Sequence, residues 1–240
     1  MHPIIAEDYD ALSRIAADIV SDLVRTHPRA SLIVPTGETP LGLYRALAAR
    51  RRRGEFDASH LRVVQLDDYL GLADDDPRSL YRWMKTAFLD PLGVPDAQVI
   101  RLRGNTPDPD AACRAYEAAV REAGGIDLAV LGLGPNGHLG FNEPPIGPDA
   151  PTRRVVLTPA SMESNARYWG GRDRVPTAAL TAGMDVLLAA RRTLLIVSGA
   201  HKRDIVRRAM RGPIGPDVPA SYLRQAHNVT ILADKAAWGE

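Results

Sequence analysis

Four short apolar runs in this chain each break off into a polar loop, and that repetition limits the folds open to it. Ser31 to Val34 leads into Thr36-Gly37-Glu38-Thr39, Leu61 to Leu66 into Asp67-Asp68, Ile126 to Leu131 into Asn136-Gly137-His138 with Glu143 beyond, and Thr193 to Ser198 into His201-Lys202. Short continuous apolar runs read as strands buried on both faces. Between them lie segments with helical spacing. Tyr9 to Arg25 puts Leu12, Ile15, Ala16, Ile19, Val20 and Leu23 on one face, and a helix with Thr39 as N-cap and Pro40 as first residue follows the first loop. Further helices are expected over Ser79 to Leu89, Asp108 to Glu122, Ser161 to Trp169 and onward from Gly199 to Met210, with a last strand at Val229 to Leu232. This alternation predicts an α/β fold, one domain over residues 1–240, with a mostly parallel sheet and helices on both faces. In such a sheet the four loops leave the same edge, where ligands bind.

A net charge of +1 gives no field to gather nucleic acid or an anionic membrane. The run Arg50 to Arg53 reads as a solvated helix end, where cations suit the macrodipole. The lone cysteine, Cys113, excludes an internal disulfide and reads as a packing residue. Trp83 and Phe88 read as core. No apolar run reaches membrane-spanning length and no signal segment opens the chain, so a cytoplasmic location is expected.

Gly132-x-Gly134-x-x-Gly137 has dinucleotide-fingerprint spacing, which requires a helix directly after the third glycine. The chain runs instead into Pro144, Pro145, Gly147, Pro148 and Pro151, which exclude that helix. Gly37 is not followed by the Lys-Ser/Thr pair of a nucleoside triphosphate loop, and Asp67, His138 and Glu143 lack the spacing of a zinc site. Thr36 to Thr39 offers main-chain N–H groups, two hydroxyls and a helix start, a ready anion site, and Lys202 and Arg167 supply positive charge. Asp67, His138 and Glu143 are candidates for proton transfer near neutral pH. The residues by themselves describe an α/β enzyme for a small phosphorylated metabolite.

Pro35-Thr36-Gly37-Glu38-Thr39-Pro40, Asp67-Asp68-Tyr69-Leu70-Gly71-Leu72, Gly132 to Pro144 (above all Phe141-Asn142-Glu143-Pro144) and Gly199-Ala200-His201-Lys202 carry a resemblance to the glucosamine-6-phosphate deaminase family, also called glucosamine-6-phosphate isomerase. It runs from the first strand to the last. The resemblance implies a Rossmann-like fold and conversion of glucosamine 6-phosphate and water to fructose 6-phosphate and ammonia, with no organic or metal cofactor. It implies that Asp67 moves a proton between C2 and C1, that His138 assists ring opening, and that Glu143 and Asn136 orient and tune His138. Thr36, Gly37, Glu38, Thr39, Arg167 and Lys202 would hold the phosphate.

Three positions depart from the family pattern. Asn136 stands where many members have Asp, Glu38 where a smaller residue is usual, and Asp68 where Glu is usual. A carboxylate at position 38 would repel a phosphate unless it points away. The chain stops soon after its last strand, so the C-terminal extension and allosteric site of longer members are not expected, and a monomer or small homo-oligomer is. A 6-phosphogluconolactonase, a deaminase of another amino sugar phosphate such as galactosamine 6-phosphate, and a non-catalytic sugar-phosphate sensor are the alternatives. The Phe141 to Pro144 segment favours the deaminase over the lactonase. A sensor would need a DNA-binding helical domain, for which the sequence before Ser31 has no room.

Overall fold

The computed structural model describes residues 2–239, apart from the side chains of His2, Ala160, Ser164, Arg167 and Tyr168. Its strands are β1 (His2–Ala6), β2 (Ser31–Val34), β3 (Arg62–Gln65), β4 (Asp67–Tyr69), β5 (Val99–Ile100), β6 (Leu128–Gly132), β7 (Arg153–Val156), β8 (Ala178–Thr181), β9 (Thr193–Val197) and β10 (Val229–Asp234). Its α-helices are α1 (Tyr9–Thr26), α2 (Leu41–Arg52), α3 (Leu80–Met84), α4 (Asp90–Leu92), α5 (Pro109–Glu122), α6 (Pro159–Trp169), α7 (Met184–Leu188), α8 (Arg203–Arg211) and α9 (Lys235–Trp238).

Seven strands pair in parallel in the order β1-β10-β9-β6-β2-β3-β5. From β2 the chain moves outward to β3 and β5, and from β6 it moves the other way to β9 and β10. The order therefore reverses between β2 and β6, and the loops leaving these two strands diverge and open a crevice. Alternate residues along each strand feed two cores. Leu32, Val34, Leu128, Val130, Leu194 and Ile196 pack with Leu12, Val20, Leu43 and Leu47 of α1 and α2. Ile33, Ala129, Leu131, Leu195 and Val197 pack with Tyr116, Val120, Ile205 and Ala209 of α5 and α8.

Several sequence expectations need correction. Asp67-Asp68-Tyr69 is not a loop: it is β4, antiparallel to β8, which also pairs antiparallel with β7, in a second, three-stranded sheet. The edge strand β1, parallel to β10, was not expected, nor was β5. Thr39 does not cap α2: Pro40 is the N-cap residue and makes no side-chain cap bond. The N–H of Gly42 donates instead to Tyr9 Oη on α1, at 2.8 Å, so a tertiary contact does the work of a cap. The helix expected from Ser79 to Leu89 is α3 followed by a π-helical turn, Lys85–Leu89, which runs into α4.

Phe88, in that π-turn, is fully buried with its ring edge-on to Tyr44 at 4.8 Å between centroids. Phe88→Ala should lower stability by ~3–5 kcal/mol, the cost of truncating a packed aromatic side chain. Urea denaturation should show a lower midpoint with an unchanged slope.

Candidate active site

The four loops meet in one cleft of about 640 Å³ at the reversal between β2 and β6. Thr36, Gly37, Glu38 and Thr39 line it after β2, Asp67 at the start of β4, Gly134 and His138 after β6, and His201 and Lys202 after β9. Gly37 takes φ 94°, a region that favours glycine. The main chain of this loop is held from two sides. Tyr44 Oη donates to Pro35 O at 2.5 Å, and Tyr9 Oη lies 3.1 Å from both Glu38 O and Thr39 O, with one proton to share between them. Lys202 Nζ donates to Leu133 O at 2.7 Å, which fixes the ammonium beside the end of β6. The turn that carries Lys202 is tied to Asp234, whose carboxylate accepts from Gly199 N and Ser198 Oγ.

Asp67 and Asp68 differ sharply in surroundings. Asp67 lines the cleft, and its Oδ1 is buried with no hydrogen-bond partner. Burial, and then the charge of Asp68, push its carboxyl up to about 8. Asp68 points away from the cleft and accepts from Tyr69 N, Leu80 N and Gln65 Nε2, each at 2.9 Å, and from Ser79 Oγ and Tyr81 N, each at 3.4 Å. Burial raises its pKa while these donors lower it.

His138 lies over Gly134. A Cβ there would come within 2.2 Å of the imidazole, so only glycine lets the ring settle against the chain. Nδ1 of His138 is buried with no hydrogen-bond partner. Removal from water lowers the ring's pKa to about 4, against the attraction of Glu143. Asn136 and Glu143 do not line the cleft. Asn136 Oδ1 accepts from the main-chain N–H of His138 at 3.3 Å, so it shapes the turn and does not meet the ring. Glu143 is received at the start of α6, where Thr158 Oγ1 donates to it at 2.6 Å and Ser161 Oγ also donates. It bears on His138 through its charge. Asn142 pins the same loop: its Nδ2 donates to Leu139 O and Ala182 O, and its Oδ1 accepts from Arg153 Nη1 at 2.8 Å.

The side chain of Arg167 lies outside the described residues. Its helix, α6, presents Ser161, Asn165 and Trp169 to the cleft, and Trp169 Nε1 donates to Tyr69 Oη at 3.3 Å. That polar i, i+4, i+8 stripe was readable in the sequence as helical spacing. Tyr9 and Trp83 also line the cleft. Trp83 was expected in the core; it is half-buried, packing on the core with one side and facing the cleft with the other. Tyr9 gave no local signal, because its partners lie some 30 residues along the chain. No helix follows Gly137 before β7, as the proline run requires. Among the described residues, no three His, Cys, Asp or Glu side chains gather as a metal site would need.

The strand order, and a cleft at its reversal point, define a Rossmann-like α/β enzyme. The sequence profile described as "Glucosamine-6-phosphate isomerases/6-phosphogluconolactonase" matches residues 6–232. The chain belongs to that family. It is 35% identical to a glucosamine-6-phosphate deaminase of Clostridium acetobutylicum, over 99% of this chain and 98% of the relative. To one of Cutibacterium acnes it is 39% identical, over 99% and 91%. A solved structure of a monomeric glucosamine-6-phosphate deaminase superposes with a TM-score of 0.97 at 37% identity, over 100% of this chain and 99% of the other. The 6-phosphogluconolactonase of Trypanosoma brucei has a TM-score of 0.74 at 18% identity, over 98% and 97%, a likeness of fold alone.

The buried carboxyl of Asp67 has a stability consequence. The folded protein keeps its proton up to about pH 8, whereas an exposed carboxyl in the unfolded chain loses it near 3.8. Between these values the folded state binds more protons, so stability falls as pH rises through that window. Asp67→Asn removes this loss. The variant should be more stable than the parent at pH 8 to 9, by on the order of a few kcal/mol, and should lose the advantage near pH 4. Thermal unfolding across that range, with no difference between the two proteins at alkaline pH, would contradict the assignment.

Proposed function

We propose that this chain converts glucosamine 6-phosphate and water to fructose 6-phosphate and ammonia. The observation that carries the reading is the shared cleft of Asp67 and His138, with an anion loop and Lys202 beside them. The relatives that match nearly the whole chain are named for that reaction.

The phosphate is held by the main chain and hydroxyls of Thr36, Gly37 and Thr39 at the start of α2, by Lys202, and by Arg167 from α6. Glu38, on the same loop, lines the cleft with an exposed side chain, and its main chain belongs to the same anion loop. Held by one end, the flexible open-chain sugar is positioned against the acid–base pair. His138, kept neutral by burial, takes the proton from O1 and returns one to the ring oxygen as the pyranose opens. Asp67, in its ionised form, removes the C2 proton, made acidic by the neighbouring carbonyl, and delivers it to C1. The resulting C2 imine adds water and releases ammonia, leaving the ketose. Asn136 sets the turn that presents His138, and Glu143 favours the imidazolium when it forms. These steps require no organic or metal cofactor. The protein works as a monomer or small homo-oligomer, in keeping with the monomeric state named for its structural relative. No described helix is long and apolar enough to cross a membrane, and we place the enzyme in the cytoplasm, where sugar phosphates are found.

Purified protein should release ammonia and fructose 6-phosphate in equal amounts from glucosamine 6-phosphate and leave 6-phosphogluconolactone untouched. Lactone hydrolysis without ammonia would overturn the reading. Asp67→Asn should abolish turnover while sugar-phosphate binding stays within a few-fold. Lys202→Ala and Arg167→Ala should act mainly on KM, each by about 1.5–3 kcal/mol for a charge-assisted hydrogen bond. A KM unchanged in both would remove the phosphate from this end of the cleft.

A further inference from the structure

Two phenols reach the loop between β2 and α2 from the helices behind it. Tyr44, on α2 and 2% exposed, donates to Pro35 O at 2.5 Å. Tyr9, the first residue of α1, has its Oη 3.1 Å from Glu38 O and from Thr39 O, and accepts from Gly42 N at 2.8 Å. Glu38 O also accepts from Leu41 N at 3.1 Å. A planar trans peptide unit points its C=O and its N–H in opposite directions. The Pro35–Thr36 and Glu38–Thr39 units are both trans. Holding Pro35 O from α2 therefore turns Thr36 N–H away from that helix, and holding Glu38 O from α1 turns Thr39 N–H away from α1. Among the described residues no acceptor meets Thr36 N–H, Gly37 N–H or Thr39 N–H, and all three residues line the cleft. The carbonyl of Thr39 aims no donor, because Pro40 has no N–H.

The reach of Tyr9 depends on how closely α1 and α2 approach. Ser13 Oγ donates to Tyr9 O at 2.7 Å and lies against Gly42. A Cβ at position 42 would come within 2.0 Å of Ser13 Oγ and 3.1 Å of Tyr9 Cζ. Glycine at this point lets the two helices close until the phenol meets the start of α2.

We propose that Tyr9 is a positioning residue for the substrate phosphate: by holding Glu38 O from α1, it turns the Glu38–Thr39 peptide so that Thr39 N–H faces the anion. The proposal rests on the reading of Thr36 to Thr39 as the phosphate loop and adds the contact that aims one of its donors. α1 covers the sheet with Leu12, Ala16 and Val20, and its first residue gives it a share in binding. Asp67 on β4 and His138 after β6 have no hydrogen bond to Tyr9, so its hydroxyl acts on binding and not on the proton transfers.

The test uses the full chain, inorganic phosphate as the probe, and Tyr9→Phe, which removes the hydroxyl and keeps the ring against the cleft. Losing one neutral hydrogen bond, with Leu41 N still on Glu38 O, should raise KM for glucosamine 6-phosphate and the inhibition constant of phosphate by about three- to tenfold each, with kcat within about twofold. Amide NMR of the labelled protein supplies a readout that a merely structural role would not move. In the parent, phosphate should shift the Thr36, Gly37 and Thr39 amides. In Tyr9→Phe the Thr39 response should shrink, while Thr36, held through Tyr44, keeps its own. An unchanged KM and phosphate inhibition constant in Tyr9→Phe, a fall in kcat as large as the rise in KM, or an equal loss of response at Thr36 and Thr39 would overturn the role of Tyr9 and leave the phosphate site in place. No response to phosphate at residues 36–39 of the parent would overturn the site itself. If Tyr9→Phe does not fold, Gly42→Ala, whose Cβ displaces Ser13 and the phenol, and the parent spectrum decide: a Thr39 response in the parent that weakens in Gly42→Ala supports the proposal, and a parent whose Thr39 amide ignores phosphate while Thr36 and Gly37 respond overturns it.

Discussion

A parallel sheet delivers the ends of its strands to one edge, and there the main chain runs out of ladder partners. Every loop at that edge carries N–H and C=O groups that must be satisfied some other way. In this protein side chains do it. Tyr44 and Tyr9 take the carbonyls of the loop after β2, and Tyr9 also receives Gly42 N–H. Asp68 receives the N–H groups that open α3, Asn142 donates to Leu139 O and Ala182 O, and Asp234 receives Gly199 N–H. Each of these bonds stands one or two residues from a group that faces the cleft. The rigidity of the site is thus a by-product of satisfying the sheet's edge, and that is why the functional side chains can project from loops without being mobile.

The same economy shows in the charges. A buried ion without a partner is costly, and a group so placed shifts its pKa and sheds its charge. Asp67 and His138 both follow that rule, the acid rising to about 8 and the base falling to about 4. The resting acid–base pair is uncharged near pH 7, so it stays buried at little electrostatic cost. Asp68 is also pushed up by burial, but its hydrogen-bond donors pull against that rise.

How far the sequence could be read follows from this arrangement. The strands that end in functional loops announce themselves by apolar runs, and their parallel order brings Thr36, Asp67, His138 and Lys202 to one cleft. What escapes is whatever depends on a distant partner. β4 is three residues long and two of them are aspartates, so no periodicity marks it as a strand; its pairing with β8 creates it. β1 is an edge strand defined by β10, more than 200 residues on. Thr39 has the chemistry of a cap, yet Tyr9 from another helix holds that place. Asn142 looks like one letter of a loop motif until its bonds to Leu139, Ala182 and Arg153 are seen. Asn136 was expected at the imidazole and instead meets the main chain beside it, a choice of rotamer that no sequence displays.

The fold by itself does not select the reaction. The same scaffold, with a TM-score of 0.74, serves a 6-phosphogluconolactonase at 18% identity. The carboxyl that β4 turns to the cleft, Asp67, is more discriminating. A phosphorylated lactone carries no cation and needs no proton moved between adjacent carbons. For such a substrate the carboxyl of Asp67 would have no carbon-bound proton to move. The proposed amino sugar phosphate does call for that transfer: its C2 proton must reach C1, and Asp67 lines the cleft with an unpartnered Oδ1 to carry it. Asp67 facing the cleft, with Asp68 turned inward to its donors, therefore fits the proposed transfer of a proton between adjacent carbons, a step that lactone hydrolysis does not contain.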